Sequence, residues 1–89
     1  YKKIIDKRPD FELSYFNLGL LNLEKDSLDQ ALYYLNEAIK LNPEEASNYY
    51  YRAKTYLKQG KKNQAKNDLT LAITIFPKYI EAQKLLKEF

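Results

Sequence analysis

The sequence predicts an all-α solenoid of antiparallel helix pairs, and three observations carry that reading. Three prolines, Pro9, Pro43 and Pro77, are evenly spaced, 34 residues apart. Much of the intervening chain repeats in step. Tyr15 returns as Tyr49, Leu23 as Leu57, Gln30 as Gln64 and Ala31 as Ala65, while Leu35, Ala38 and Ile39 return as Leu69, Ala72 and Ile73. Between the prolines the apolar residues recur at helical spacing, not with the alternation of strands. A fixed period of this size marks one supersecondary unit stacked on copies of itself. Such a chain builds an extended surface.

Taken in order, helices are expected at Lys2–Lys7, Phe11–Lys25, Leu28–Leu41, Glu45–Gln59, Lys62–Ile75 and Lys78–Glu88. The first carries Ile4 and Ile5 and ends before Pro9. The second shows a stripe of Leu13, Phe16, Leu20 and Leu23. Ser27-Leu28-Asp29-Gln30 fits a capping box, with Ser27 as cap and Gln30 three residues on. The third helix then carries Leu28, Ala31, Leu32, Leu35, Ala38 and Ile39 on one face. Pro43 stops it, and Glu44 and Glu45 stand at the positive dipole end of the fourth. Gly60 can adopt the left-handed conformation that ends many helices, which separates the fourth from the fifth. After Pro77 the sixth shows a stripe of Ala82, Leu85, Leu86 and Phe89. The expected organisation is therefore a partial repeat over 1–9, full repeats over 10–43 and 44–77, and a leading half-repeat over 78–89.

Composition narrows the function. A hydrophobic share of 45% in 89 residues is too high for an ordinary disordered tail, and 30% charged residues favour solubility. The longest apolar run, Leu18 to Leu21, is interrupted by Gly19 and is far too short to span a bilayer. The chain opens on Tyr1 without a methionine, so the expectation is a segment of a longer protein. The compartment stays unassigned, with the cytoplasm favoured. There is no cysteine and no histidine, which removes thiolate chemistry, zinc–sulfur sites, and the usual metal ligand and general base. The two glycines, Gly19 and Gly60, cannot form a phosphate loop. Carboxylate pairs such as Asp26/Asp29 and Glu44/Glu45 lie at helix starts, where they complement the dipole. Ser27 has no basic partner that would make it a nucleophile. Neither catalysis nor a cofactor is expected.

These residues closely resemble the tetratricopeptide repeat (TPR) family. Tyr15, Leu18-Gly19, Ala31, Leu35, Ala38 and Pro43 match its pattern in the first full repeat. Tyr49, Arg52-Ala53, Tyr56, Ala65, Leu69, Ala72 and Pro77 match it in the second. Asn22 stands where an aromatic is usual, and Arg52 where a leucine is usual. The resemblance covers nearly the whole chain and implies a right-handed superhelix that serves as a protein–protein interaction scaffold. In this family the first helix of each repeat lines the concave groove that holds partner peptides. Carried over, that face is Leu13, Phe16, Asn17, Leu20 and Leu23, then Ser47, Tyr50, Tyr51, Lys54 and Lys58. Glu81, Lys84, Leu85 and Glu88 would continue it.

Aromatic residues in such a groove are the usual hot spots, each worth roughly 2 kcal/mol or more once covered by a partner. Phe16 and Leu20 could instead pack only between helices. Tyr49, Tyr50 and Tyr51 diverge by about 100° per position, so at least one of them, Tyr50 or Tyr51, is expected to be exposed. One branch of the family holds acidic chaperone tails in a clamp of lysines, arginine and asparagines. Its positions here are Phe16, Leu20, Tyr51, Glu81 and Leu85, and none matches.

Two other readings compete. From Ala46 to Asn67 no acidic residue occurs, while Arg52, Lys54, Lys58, Lys61, Lys62 and Lys66 do, interleaved with tyrosines. That basic, tyrosine-rich stretch over 49–66 suits nucleic acid or another acidic ligand, bound through phosphate contacts and stacking. An RNA-binding surface of this kind would lose affinity steeply with salt. The third reading is self-association through uncapped ends, with Tyr1, Ile4 and Ile5 at one end and Leu85, Leu86 and Phe89 at the other.

Overall fold

Five α-helices follow one another along residues 7–89, the part of the chain that the computed structural model describes (backbone only for 7–10). They are α1 (Lys7–Glu24), α2 (Leu28–Leu41), α3 (Ala46–Lys58), α4 (Lys62–Ile75) and α5 (Ile80–Leu86). No strand occurs among these residues, and none of the helices is long and apolar enough to cross a membrane. Each helix packs on the next in chain order, and α1 also reaches α3. The result is a flat stack of 42 × 29 × 16 Å.

α2 and α4 have the bounds that the sequence predicts, while α3 is one residue shorter at each end and α5 two. The helix expected at Lys2–Lys7 lies outside the described residues, except that Lys7 belongs to α1. Tyr1, Ile4 and Ile5 lie outside them as well. α1 is already helical at Lys7, ahead of the expected start at Phe11, and includes Pro9.

The two hairpin turns share one backbone motif. After α1, the Asp26 N–H donates to the Leu23 carbonyl at 3.1 Å and the Ser27 N–H to the Asn22 carbonyl at 2.8 Å. After α3, the Gly60 N–H donates to the Leu57 carbonyl at 3.0 Å and the Lys61 N–H to the Tyr56 carbonyl at 2.9 Å. These paired bonds define a Schellman motif, which needs a left-handed residue just past the helix. Gly60 fills that place at φ 78°, and Asp26, one period earlier, fills it at φ 61°. Aspartate is one of the few side chains that enters this region as a single residue. The same geometry corrects the expected capping box. The Ser27 side chain makes no cap hydrogen bond to α2, because Ser27 is the last residue of the Schellman turn.

The prolines repeat their role through their carbonyls. The Tyr49 hydroxyl donates to the Pro43 carbonyl at 2.8 Å. One period on, the Gln83 side-chain amide donates to the Pro77 carbonyl. Each interhelical link is thereby tied to the first turns of the helix that follows it.

Small residues form the seam between the helices. Ala31, Leu35, Ala38, Ala53, Ala65, Leu69, Ala72 and Ala82 are completely buried. At Gly19 a Cβ would lie 2.8 Å from Leu35 Cγ and 2.9 Å from its Cδ2, closer than real Cβ contacts allow. Any larger residue at 19 would therefore force the Leu35 side chain to shift, and glycine lets α1 seat closely on α2. The second pair carries Ala53 at the equivalent position and accommodates its methyl.

Arg52, the departure from the usual leucine, ties three helices together. Its Nε and Nη2 donate to the two Asp68 carboxylate oxygens at 2.8 Å each, and its Nη1 to Asn36 Oδ1 at 2.9 Å. The guanidinium lies 5.6 Å from the Tyr49 ring centroid and 5.8 Å from that of Tyr56. Asp68 is buried, with a side chain only 3% exposed. The hydrogen bond to Asp68 raises the Arg52 pKa further, keeping the guanidinium charged. Removing one partner of such a pair leaves an uncompensated buried charge, which costs far more than the pair itself contributes. Arg52→Leu is expected to destabilise the chain by about 3 kcal/mol, read by denaturant unfolding. The double change R52L/D68Y, which installs the residues found one period earlier, Leu18 and Tyr34, is expected to recover most of that loss. A single variant as stable as the native chain would contradict the account.

Candidate functional site

The period dictates which side chains face each other across the first helices of the two pairs. Asn17 falls level with Tyr51, Leu20 with Lys54 and Glu24 with Lys58. These six residues, with Leu21 and Leu23, line one open cavity of about 670 Å³ between α1 and α3. Its α1 wall is largely apolar. Its α3 wall is an aromatic ring followed by two lysines. A volume of this size lies within the range that holds a drug-sized ligand or a few side chains.

Beside the cavity runs a continuous ladder of rings. Phe16 meets Tyr51 edge to face at 5.6 Å between centroids. Tyr51 meets Tyr50 at 4.9 Å, Tyr50 meets Tyr79 at 5.1 Å and Tyr79 meets Phe76 at 5.7 Å. The ladder thus crosses from α1 over α3 to the link before α5. Burial raises the pKa of the Tyr79 phenol, and the neighbouring Tyr51, Tyr50, Glu81 and Glu45 raise it further. Burial, then Tyr51 and Glu81, likewise raise that of Tyr50. Both phenols stay protonated and able to donate hydrogen bonds.

This arrangement corrects the expected exposure of the tyrosines. Tyr49, Tyr50 and Tyr51 are all half-buried, and none is fully exposed. They do diverge around the helix, but each direction meets a neighbour: Arg52 for Tyr49, Tyr79 for Tyr50 and Phe16 for Tyr51.

Of the residues carried over to the groove, the structure gathers Asn17, Leu20, Leu23, Tyr51, Lys54 and Lys58 around one cavity, with Phe16 and Tyr50 on the adjoining ladder. Leu23 is buried at its floor. Leu13 stands 56% exposed and does not line the cavity. The Ser47 hydroxyl donates to Glu45 Oε2 at 2.9 Å, at the start of α3. Lys84 is exposed on α5, away from the cavity lining. Leu85 and Glu88 instead line a smaller cavity of about 220 Å³ with Leu57, Lys62 and Phe89.

Sequence reasoning missed Tyr79, Phe76, Leu21 and Glu24. Tyr79 stands just before α5 and makes no cap hydrogen bond there, whereas the sequence places it inside a helix over Lys78–Glu88. The apolar stripe on α5 is also less bare than expected. Ala82 is fully buried, and Leu85 and Leu86 pack against the core of α3 and α4, leaving Phe89 exposed.

The basic stretch separates into spent and unspent charges. Arg52 is held by Asp68, and Lys58 Nζ lies 3.0 Å from the Asp26 carboxylate. Lys54 is half-buried and has no carboxylate partner among the described residues. Its ammonium sits instead 5.4 Å from the Tyr50 ring centroid and 5.5 Å from that of Tyr51.

Comparison with known proteins agrees with this architecture. The family model for regulator of microtubule dynamics protein 1-3 matches residues 19–89, and the chain belongs to that family. Among solved structures, the crystal structure of MamA superposes with a TM-score of 0.82 at 29% sequence identity. The match covers 84% of this chain, which spans 44% of the length of MamA. MamA is a TPR-like solenoid, and the chain shares that right-handed, all-helical repeat fold. No curated protein is significantly similar to it.

The half-buried phenols set an alkaline limit on stability. Tyrosine in an unfolded chain titrates near pH 10. The folded Tyr79 holds its proton to higher pH, so its contribution is complete below about pH 10 and is lost as the pH rises above it. Melting temperature followed from about pH 9 to 11.5 is expected to fall less steeply for Tyr79→Phe than for the native chain. Parallel profiles would contradict the burial of this hydroxyl.

Proposed function

We propose that this member of the regulator of microtubule dynamics family is a protein-interaction module, part of a larger TPR-like scaffold. Its groove between α1 and α3 takes a segment of a partner protein. The observation that carries this reading is the conjunction of the 670 Å³ cavity with the aromatic ladder on its wall. Rings already packed on one another lose little conformational freedom when a ligand covers them, which favours affinity. The repeats over 10–43 and 44–77 supply the two walls. The family's description supports a partner that takes part in regulating microtubule dynamics. No catalytic role is proposed, because the groove's polar groups are a tyrosine, two lysines, an amide and one carboxylate without an activated nucleophile among them.

Nucleic-acid binding through residues 49–66 is the less favoured reading. Arg52 and Lys58 are already paired, and Lys61, Lys62 and Lys66 lie around the start of α4, apart from the ladder on which bases would stack. The chaperone-tail clamp is absent from its expected positions, as the sequence alone indicates.

The test is affinity capture from the source lysate with nuclease present, comparing the native chain with Tyr51→Ala and Leu20→Glu. Retained proteins would be identified and their affinities measured. A partner involved in microtubule regulation is expected, insensitive to nuclease and weakened about 30-fold by Tyr51→Ala, the equivalent of about 2 kcal/mol. Capture that survives both groove variants, or that disappears with nuclease, would overturn the proposal.

A further inference from the structure

Of the two lysines that line the groove, Lys54 alone has no carboxylate partner among the described residues. Lys40, Arg52 and Lys58 each have a carboxylate within ion-pair distance. Lys54, the half-buried lysine of the cavity wall, has none among the described residues. Two tyrosine rings flank its ammonium at 5.4 and 5.5 Å, which attract the cation and restrict where it can sit. It faces Leu20 across the cavity, and Asn17, one turn back on α1, adds an exposed amide to the same rim. At the other end Glu24 stands level with Lys58, which is itself paired with Asp26. That end is not a second anion site.

Taking the groove as the partner site proposed above, we infer that its ligand is a peptide segment in which an acidic residue adjoins a large apolar one. The apolar side chain enters between Leu20, Leu23 and Tyr51, and the carboxylate docks on the ammonium of Lys54. A segment covering Lys54 without supplying a carboxylate would bury its charge unpaired, which is costly. One that supplies it converts the same burial into a charge-assisted hydrogen bond. A single ammonium beside an apolar wall fits one carboxylate. Recognition of a nucleic-acid backbone would draw on several cations in a row, whereas the groove offers only Lys54 without a carboxylate partner among the described residues.

The experiment is a random-peptide display selection on the immobilised native chain, followed by anisotropy measurements on the enriched peptides. Enrichment of a large apolar residue within two positions of Asp or Glu is expected. Lys54→Gln should weaken such a peptide about tenfold, and changing its acid to the corresponding amide should weaken it equally. The two changes together should cost no more than either alone, the signature of one direct contact. Apolar peptides without an acid preference, bound equally by Lys54→Gln, would overturn this inference and leave the groove standing. Peptides that bind Leu20→Glu and Tyr51→Ala as tightly as the native chain, or a selection with no enrichment, would overturn the groove reading itself. Displacement of the peptides by single-stranded RNA, lost in Lys54→Gln, would reassign the site to nucleic acid.

Discussion

The contact between Gly19 and Leu35 sets the position on which the groove depends. α1 and α3 meet directly at only a few places, where Phe16 packs on Tyr51 and the Asn48 amide donates to Glu12 Oε2 at 3.4 Å. α2 packs extensively on both and acts as the spacer between them. How deeply α1 seats on α2 therefore decides how far Asn17, Leu20 and Glu24 stand from Tyr51, Lys54 and Lys58. Leucine at 35 fills the seam, and glycine at 19 lets the backbone come down onto it. A cavity between two elements that meet at only a few places is thus held by packing on its far side. Close-packed interiors transmit small displacements in this way.

The second pair reaches a similar arrangement by a different route. Ala53 accommodates a methyl where one at Gly19 would press on Leu35, and Arg52 adds a polar tie to Asp68 and Asn36. The tie joins α3 to both of its neighbours, so the groove wall that bears Tyr51 and Lys54 is anchored from two sides. The aromatic ladder extends that anchoring to Tyr79 and α5. Rigidity on the α3 side and glycine-dependent seating on the α1 side together give a preformed groove.

Much of this was legible in the sequence because it is periodic. The even proline spacing gave the repeat, the alanine and leucine pattern gave α2 and α4 to the residue, and the carried-over face gathered most of the cavity lining. What was not legible depends on contacts that cross the period. Arg52 was visible as a departure, but its partner lies sixteen residues away on another helix, with nothing local to mark it. Tyr79 joins the ladder from outside a helix, so no helical face includes it. The half-burial of Tyr50 could not be read from α3 alone, since its cover comes from the link before α5. Ser27 had the right neighbours for a cap, yet the Schellman turn at Asp26 placed it in a different role.

The account's central claim is that the close seating of Gly19 on Leu35 fixes the first wall of the groove. A double-mutant cycle of Gly19→Leu and Leu35→Ala, measured by denaturant unfolding, tests it most directly. Gly19→Leu alone should destabilise by about 2 kcal/mol through overpacking. Leu35→Ala should open the space that the new side chain needs, so the double variant should be more stable than the sum of the single changes by about 1 kcal/mol or more. Additivity within about 0.3 kcal/mol would show that the two residues do not press on one another, and would contradict the claim.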